Sequence, residues 1–391
     1  MANQPKGAIV GLGVTQMGKI YGRRAVDFAA EAIALALDDA GLEKSDVDGL
    51  LINANIPNDM DPRSQMVLGF ENLTLMNVMS AYGSTGGSMM QYACMAIEQG
   101  LAKTVVLVYA DAPMSPTVSA GASYAGPQRH LMAGMNGLRA AYGSFGANFE
   151  YAMAAKRHMH LYGTTSEQFG AIAVGQRKWA GMNPVAQMRK PITLEDHQNS
   201  RFIAEPLHLL DCCLVSNGAV AIIVTSVERA RNLKQSPVYV LGYAQCAPGD
   251  NNRTDRHPGV ETGAKRSGEI AFRMAGVSVG DIDHCQLYDC YTYTVLVTLE
   301  DYGFCKKGEG GPFVADGKLA PGGSLPTNTG GGQLSAFYMW SFTPMAEAII
   351  QTRGQGGERQ VPKNDVTLVS GNGGILNFHS TLILSKHASS S

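Results

Sequence analysis

Short apolar runs alternate with longer segments of helical periodicity along most of the 391-residue chain. The first half opens with the apolar run KGAIVGLGVTQ and continues with RAVDFAAEAIALALDDAGL, whose apolar residues recur at helical spacing as far as Gly41. The runs DGLLINAN, KTVVLVYAD and AVAIIVTS have the length and composition of buried strands. Strands that alternate with helices predict an α/β fold built in layers.

The second half repeats this order of elements. We predict strands at PVYVLGYAQC and DIDHCQLYD, helices at ETGAKRSGEIAFRMAGV, YTVLVTLEDYGFC and SFTPMAEAIIQTRGQ, and a closing hairpin at DVTLVSGNGGILNFHSTLILSK. The repeat predicts two halves, at residues 1–235 and 236–391. Between residues 113 and 206 the chain is rich in Met, Ala, Gly and aromatic residues. We expect a helical insertion there, with a capping box formed by Thr164 and Glu167.

Charge and hydropathy exclude several classes of protein. The net charge of −2 provides no electrostatic attraction for nucleic acid or an anionic membrane surface. The first residues lack a signal-peptide pattern, and no apolar run approaches the roughly 20 residues of a membrane span. We therefore expect a soluble cytoplasmic protein. Its seven cysteines include no CxxC pair, so we expect buried thiols and no metal site.

The segment NVMSAYGSTGGSMMQYA, at residues 77–93, predicts a strand that turns sharply into a helix. Enzymes place a nucleophile at such an elbow, where its side chain is exposed at the top of a sheet. No cysteine or histidine stands in this turn, and its hydroxyl groups besides Tyr82 belong to Ser84, Thr85 and Ser88. The turn is therefore a nucleophile elbow without an obvious nucleophile.

Three further segments resemble a known family. They are ITLEDHQNSRFIAEPLHLLDCCLVSNGAVAIIV at residues 192–224, QLYDCYTYTVLVTLEDYGFC and QTRGQGGERQV. These segments resemble thiolases of the sterol carrier protein-x type, and the duplicated layout resembles the thiolase superfamily over nearly the whole chain. The resemblance implies a thiolase fold, with two βαβαβαββ halves in a layered α-β-α-β-α arrangement and a helical insertion in the first half.

The catalytic positions that the resemblance implies carry other residues in this chain. The elbow cysteine of thiolases aligns with Gly83, and the histidine of their Gly-His-Pro loop aligns with Tyr338 in NTGGGQLSAFYMW. The Asn or His of their HDCF segment corresponds to Tyr288 in YDCY, and the late cysteine falls at or near Ser370 in SGNGG. Because glycine cannot form an acyl-enzyme, thiolysis is not expected.

This combination resembles the steroid side-chain-cleaving aldolases of bacterial sterol catabolism, through YDCYTYTVLVTLEDYGFC and FYMW. The resemblance implies retro-aldol cleavage of a steroid β-hydroxyacyl-CoA to a 17-keto steroid and propionyl-CoA. It implies no cofactor, since CoA is part of the substrate and the product. It also implies a homodimer in which each chain binds a small OB-fold, zinc-ribbon partner, giving a heterotetramer.

A retro-aldol step needs a base for the β-hydroxyl proton and a group that stabilises the enolate, and tyrosines can serve such proton transfers and oxyanions. Because the ordinary pKa of tyrosine is about 10, a tyrosine base would need a lowered pKa or a proton relay. The predicted catalytic residues are Tyr291, Tyr338, Tyr243 and Tyr288. The predicted substrate-binding residues are Gly83, Ser84, Tyr293, Gly331 and Gly332.

The same residues are compatible with two further hypotheses. Each tyrosine taken alone also suits a strand or a core position without a catalytic role. An acyltransferase that uses Ser84 or Cys290 as its nucleophile is the second hypothesis. A non-catalytic thiolase-like subunit that binds a CoA ligand or supports a partner is the third.

Overall fold

The structure is a computed structural model that describes residues 4–118, 120–124, 137, 141, 143, 146–249 and 259–388. The first elements match the sequence pattern closely, and the chain enters the elbow from an edge strand. Along the chain they are β1 (Gly7–Val14), α1 (Ala25–Ala40), β2 (Gly49–Asn53), α2 (Ser64–Leu68), β3 (Leu75–Met79), α3 (Thr85–Glu98) and β4 (Thr104–Asp111).

The predicted insertion is mainly helical between residues 147 and 199, while its residues 125–136 lie outside the described part of the chain. Its elements are α4 (Ala147–Tyr162), α5 (Ser166–Gly181), α6 (Leu194–Asn199) and the short strands β5 (Phe202–Ala204) and β6 (Leu207–His208). The first half then closes with β7 (Gly218–Thr225) and α7 (Val227–Ala230).

The capping box of α5 is one residue later than predicted. Thr165 caps the helix, its hydroxyl accepts from the Gln168 amide, and the Gln168 side chain accepts from the Thr165 amide in return. Thr164, the predicted cap, instead places its hydroxyl 2.9 Å from His158 Nδ1. The prediction of Thr164 and Glu167 was therefore wrong, because a tertiary hydrogen bond takes the hydroxyl that the local pattern assigned to the cap.

The second half repeats the order of the strands, with four helices between its second and third strands. Its elements are β8 (Val238–Cys246), α8 (Ala264–Ala275), β9 (His284–Gln286), α9 (Thr292–Tyr302), α10 (Gly310–Ala315), α11 (Gly332–Ser335), α12 (Phe342–Thr352), β10 (Val366–Gly373) and β11 (Phe378–Ser385). The hairpin predicted at the end of the chain is the antiparallel pair of β10 and β11.

The long strands form one mixed nine-stranded sheet in the order β3-β2-β4-β7-β1-β8-β11-β10-β9. Within it, β2-β4-β7-β1 of the first half corresponds to β9-β10-β11-β8 of the second. An isolated parallel bridge between Cys285 and Thr327 lies where the counterpart of β3 belongs. The two halves are thus built alike, and they join where β1 pairs with β8.

Two helices form the middle layer. Helix α3 contacts β4 of the first half and β8, β10 and β11 of the second, and α12 contacts β1 and β7 as well as β9 and β10. Helices α1 and α8 pack on the outer sides, against β1 and β8 respectively. The N-terminal ends of the central helices meet where the Gly86 amide donates to Ser341 Oγ at 2.9 Å. Because α3 and α12 contact strands of both halves, they lie between a β layer of the first half and a β layer of the second. With α1 and α8 outside, this is the α-β-α-β-α arrangement that the resemblance implies.

Candidate active site

The predicted elbow is present between β3 and α3. A single 3-10 turn covers Tyr82–Ser84, and α3 begins directly after it at Thr85. The Thr85 hydroxyl accepts from the Ala81 amide at 2.7 Å and donates to the Tyr82 carbonyl at 2.6 Å. These bonds hold a tight turn in which Tyr82 has a positive φ of 51°.

The space above Gly83 is occupied by a tyrosine ring. A Cβ added at Gly83 would lie 2.2 Å from Tyr288 Cζ and 2.2 Å from the carbonyl oxygen of Asn372. Neither neighbour leaves room for a side chain at this position. Tyr288 therefore stands where a thiolase has the side chain of its nucleophile.

A second tyrosine lies beside the first. The hydroxyl oxygens of Tyr288 and Tyr338 are 3.3 Å apart. Tyr288 is buried, and its backbone amide donates to Ser370 Oγ at 3.3 Å. Tyr338 is partly exposed, whereas Tyr288 is buried. The structure thus brings together the four positions that the resemblance aligns with catalytic residues of thiolases, namely Gly83, Tyr288, Tyr338 and Ser370.

Tyr291 lies at the N-terminal end of α9 and is buried. Its hydroxyl donates to Asn148 Oδ1, and its ring packs on that of Tyr151 with centroids 4.5 Å apart. Its backbone forms an isolated bridge with Cys212. Tyr151 also interacts electrostatically with Tyr288. Tyr291, Tyr151, Tyr288 and Tyr338 thus form one group of neighbouring rings, which we call the wall of the site, although no direct bond joins the hydroxyl groups of Tyr291 and Tyr288.

The segment LLDCC positions this wall. Asp211 accepts hydrogen bonds from His197 Nε2 at 2.8 Å and from Thr292 Oγ1 at 2.6 Å. The second cysteine of the segment contacts the YDCY segment, because the Cys213 amide donates to the Cys290 carbonyl at 3.0 Å. The two segments that carry the family resemblance are therefore in contact, and their role here is to fix the start of α9.

Two residues of this cluster were missed from the sequence. Tyr151 comes from α4 in the insertion, and its hydroxyl donates to Asn372 Oδ1 at 3.5 Å. Asn372 is fully buried on β10, and its Nδ2 has no hydrogen-bond partner within the described part of the chain. Tyr151 belongs to no motif, whereas Asn372 lies two residues from Ser370 in the GNGG stretch that could have drawn attention to it.

Burial sets the protonation state of these tyrosines. It raises the pKa of Tyr288, Tyr291 and Tyr338 above the usual value of about 10, because a phenolate loses its hydration there. Neighbouring thiol groups raise the pKa of each further, while the hydrogen bond to Tyr288 opposes this increase at Tyr338. The hydroxyls are therefore neutral donors near pH 7, and a lowered pKa, which a tyrosine base would require, is not found.

A carboxyl group that no motif marks lies next to the cluster. Asp111 ends β4, is fully buried, and accepts from the hydroxyls of Tyr109 at 3.1 Å and Tyr124 at 2.8 Å. Burial raises the pKa of Asp111 to about 6, and the two hydroxyl donors oppose that increase. The ring of Tyr109 stacks on Trp340 with centroids 4.9 Å apart, which connects Asp111 to the loop of Tyr338.

Two of the predicted tyrosines lie elsewhere. Tyr243 is in the middle of β8, where burial and the nearby Cys94 and Glu98 raise its pKa to about 12. Tyr293 is fully buried, and its hydroxyl donates to the Gly259 carbonyl at 2.5 Å. Among the described residues, no hydrogen bond joins either of them to the cluster above Gly83. For both, packing in the core accounts for the observed contacts.

The glycines of the NTGGG loop are crowded by protein. A Cβ at Gly331 would lie 2.6 Å from that of Ala180, and one at Gly332 would lie 2.1 Å from Asp289 Oδ2. Both have positive φ, 99° and 59°. Gly332 and Asp289 also line a cavity of about 680 Å³ that none of the tyrosines lines. These contacts explain the glycines without a substrate, and their role in substrate binding stays a prediction.

The alternative nucleophiles are poorly placed. Ser84 is buried, and its carbonyl accepts from Ser380 Oγ at 3.0 Å. Cys290 is also buried, and burial raises the pKa of its thiol, which opposes formation of a thiolate. Among the described residues no cluster of His, Cys, Asp and Glu could hold a metal ion. No described helix has both the length and the apolar character to cross a membrane.

Known proteins share this architecture. A sequence model of the Thiolase C-terminal domain-like family matches residues 250–386. A steroid side-chain-cleaving aldolase of Thermomonospora curvata is 40% identical over 378 residues, which are 94% of this chain and 95% of the relative. The 17-hydroxy-3-oxo-4-pregnene-20-carboxyl-CoA lyase of Mycobacterium tuberculosis is 38% identical over 381 residues, which cover 94% of this chain and 96% of the relative.

The fold comparison agrees with the sequence comparison. The solved structure of an Ltp2-ChsH2(DUF35) aldolase superposes with a TM-score of 0.86 and 36% identity, covering 98% of this chain and 99% of the matched chain. The chain therefore belongs to the thiolase superfamily, in the branch of the steroid side-chain-cleaving aldolases.

Proposed function

We propose that this chain is a carbon–carbon lyase that cleaves the side chain of a steroid β-hydroxyacyl-CoA by a retro-aldol reaction. The observation that carries the proposal is the ring of Tyr288 above Gly83, with the Tyr338 hydroxyl 3.3 Å from that of Tyr288. A site built this way has no place for an acyl-enzyme, whereas it offers neutral hydroxyl donors. The relatives that match the chain over most of its length are named as a lyase and an aldolase.

The reaction proceeds without covalent attachment to the protein. A base removes the proton of the β-hydroxyl group, and the oxygen electron pair forms the new ketone. The bond between the α and β carbons breaks, and its electrons pass into the thioester enolate. Protonation of the α carbon then gives the short acyl-CoA, which family resemblance identifies as propionyl-CoA, beside a 17-keto steroid.

The tyrosines suit the stabilisation of developing charge. Hydroxyl groups that stay protonated and are already oriented can donate to the enolate oxygen without reorganising. Tyr338 is partly exposed and is the donor nearest to an entering substrate. Tyr288 orients Tyr338 from the elbow side, and Tyr291 completes the wall through Tyr151. CoA enters and leaves with the reactants, so no further cofactor is part of the proposal.

Assembly with other chains is also proposed. Strand β3 is an edge of the sheet, and its Met76, Val78 and Met79 are only partly buried, which favours pairing with a second copy of the chain. The similar solved structure is named for two components, Ltp2 and ChsH2(DUF35). We therefore expect a cytoplasmic homodimer in which each chain binds an OB-fold, zinc-ribbon partner, giving a heterotetramer.

The test replaces Tyr338 with phenylalanine in the complex with its OB-fold partner. The substrate is a steroid β-hydroxyacyl-CoA thioester, and release of the 17-keto steroid and the short acyl-CoA is followed by chromatography. Loss of one positioned donor should lower kcat by about 10²-fold or more. Tyr291→Phe should also lower it, whereas Tyr293→Phe, a control at a buried tyrosine bonded to Gly259, should keep the rate. Full activity of both Tyr338→Phe and Tyr291→Phe would refute the assignment.

A further inference from the structure

We propose that Asp111 is the final proton acceptor of the retro-aldol step and that Tyr338 and Tyr124 carry the proton to it. The inference rests on the proposed function and deepens it by naming the base. A base is required because the tyrosines of the cluster are neutral donors. A proton that leaves the substrate must therefore reach a group that is ionised near neutral pH.

The carboxylate is built to receive a tyrosine proton. Asp111 Oδ2 accepts from both Tyr124, at 2.8 Å, and Tyr109, at 3.1 Å, while Oδ1 accepts from the Ala112 amide at 3.0 Å. Asp111 itself is fully buried, so a substrate cannot reach it directly. Tyr124 is half-buried and its hydroxyl already donates to Oδ2, so a proton that reaches Tyr124 can pass to the carboxylate.

Tyr338 connects this pair to the elbow. It lies within electrostatic reach of both Tyr109 and Tyr124. Its hydroxyl interacts with the side chain of Trp340, whose ring stacks on Tyr109. The hydroxyl of Tyr288 is 3.3 Å away on the other side. Tyr338 therefore has the elbow on one side and the Asp111 group on the other, and a bound water could complete the connection to Tyr124.

The proton transfers balance without an added reactant. The substrate hydroxyl gives its proton to Tyr338 as Tyr338 gives its own, through a bound water, to Tyr124, and Tyr124 passes its proton to Asp111. Both tyrosines end neutral, Asp111 becomes a neutral acid, and the negative charge moves to the substrate oxygen and then to the enolate. Return of the proton from Asp111 along the same path protonates the α carbon and restores the Asp111 carboxylate.

Another buried carboxyl near the cluster lacks this connection. Asp289 accepts from the backbone amides of Gln333 at 2.9 Å and Leu334 at 3.3 Å. Within the described part of the chain, no tyrosine hydroxyl donates to it. Its hydrogen bonds are those of a structural group that holds the start of α11, so Asp289 lacks the direct tyrosine donors that Asp111 has.

The pH dependence of the rate gives a specific signature. Burial raises the pKa of Asp111 to about 6, so the wild-type rate should fall as pH drops below about 6 and Asp111 takes up a proton before turnover. The titratable groups that face Asp111 or its tyrosine partners are Asp59, Tyr109, Tyr124, Tyr338 and Cys213.

The experiment measures kcat against pH for the complex of the full chain with its OB-fold partner. Asp111→Asn should lower kcat by about 10²-fold or more, because an amide cannot take the proton. It should also abolish the acidic limb of the pH–rate profile, which is the fall in kcat below about pH 6. Tyr124→Phe should lower kcat to a similar extent with KM nearly unchanged. The double variant should be little worse than either single variant, because members of one relay act as a unit.

Tyr109→Phe is the matched control. It also removes one hydroxyl from Asp111 Oδ2, but Tyr109 is not part of the relay. Its plateau rate should stay near that of the wild type, while its acidic limb moves to higher pH because the carboxylate has lost a donor. A merely structural Asp111 would give equal losses for Tyr109→Phe and Tyr124→Phe and an unchanged limb in Asp111→Asn, which would overturn the relay. If the wild-type complex does not cleave the steroid thioester, the proposed function fails first and the relay with it.

Discussion

Replacing Gly83 with alanine tests the interlock between the elbow and Tyr288. The new Cβ would lie 2.2 Å from Tyr288 Cζ and 2.2 Å from the carbonyl oxygen of Asn372, whereas ordinary contacts of a Cβ begin at 3.4 Å. Each neighbour would have to retreat by roughly 1 Å in an interior that is already close-packed. The tyrosine ring can tilt, but the carbonyl belongs to β10, which is paired with β11 at His379.

The expected cost follows from these two contacts. Inserting a methyl group into a packed core costs about 1–3 kcal/mol. Because one neighbour of the Gly83 position is backbone held in a ladder, we expect the upper end, a decrease of about 3 kcal/mol in the free energy of unfolding. That is a large share of the roughly 5–15 kcal/mol that stabilises an average domain.

A double-mutant cycle separates the energetic cost of the contact with the Tyr288 ring from the cost of the contact with the Asn372 carbonyl. Tyr288→Ala alone should cost about 3–5 kcal/mol by leaving a cavity. In the double variant the alanine at position 83 enters part of the space of the ring, so the two costs should not add, with a coupling of about 1–3 kcal/mol. Gly175→Ala in helix α5 is the control, since the nearest atom that its Cβ would meet is the Cβ of Ala320 at 3.7 Å. It should leave stability unchanged or raise it by about 0.5–1 kcal/mol.

Urea denaturation followed by circular dichroism measures each variant, with an unchanged m-value as the sign of unchanged unfolding behaviour. A Gly83→Ala variant whose free energy of unfolding lies within about 0.5 kcal/mol of the wild-type value would refute the reasoning. So small a change is typical of surface substitutions and is incompatible with a position whose side-chain space is already occupied. A strictly additive cycle would refute the contact with Tyr288 in particular.

Two further predictions concern buried groups near the cluster. Burial raises the pKa of Asp289 from 3.8 to about 7. The folded state therefore favours the protonated carboxyl group, and the resulting gain in the free energy of unfolding is present below about pH 4 and is lost as pH rises through 7. By linkage, the wild type should lose about 4 kcal/mol of unfolding free energy relative to Asp289→Asn between pH 4 and pH 8, and parallel curves in urea titrations would contradict this. Cys290→Ala should cleave the steroid thioester nearly as fast as the wild type, and the intact mass of wild-type chain exposed to acyl-CoA should show no adduct. A loss of activity together with a wild-type adduct would instead support the acyltransferase hypothesis.

The order of the elements was predictable because it depends on local patterns. Apolar runs and helical periodicity recur in both halves, and the sheet shows the same repeat as β2-β4-β7-β1 and β9-β10-β11-β8. The helix that begins after Tyr291 was expected from its apolar spacing, and it ends at Gly303, whose φ is 87°. The wrong capping box at Thr164 shows the limit of such patterns, since a histidine from the preceding helix decided the outcome.

The site was predictable only where family positions could be aligned. Tyr288 and Tyr338 were predicted because they align with catalytic residues of thiolases, and the structure brings their hydroxyls to 3.3 Å from each other. Tyr151 and Asp111 carry no such marker, since one lies in the insertion and the other ends an ordinary buried strand. Their proximity to the cluster arises from tertiary packing, which no spacing within either segment encodes. Tyr243 shows the converse, because it lies in the middle of β8 and its residue type alone is not evidence of a shared site.

The contact between Gly83 and Tyr288 also bears on whether the site is rebuilt or decayed. A cysteine at position 83 is incompatible with the ring, since its Cβ would meet Tyr288 and Asn372 at 2.2 Å. A small residue at position 288 would leave a cavity, at a cost of about 3–5 kcal/mol. The Tyr288 ring therefore fits only where position 83 carries no side chain, so the two substitutions form one structural unit. Independent loss of catalytic residues would not produce that complementarity, and it would not place the Tyr338 hydroxyl 3.3 Å from that of Tyr288. The geometry thus favours an active lyase over a subunit that only binds CoA.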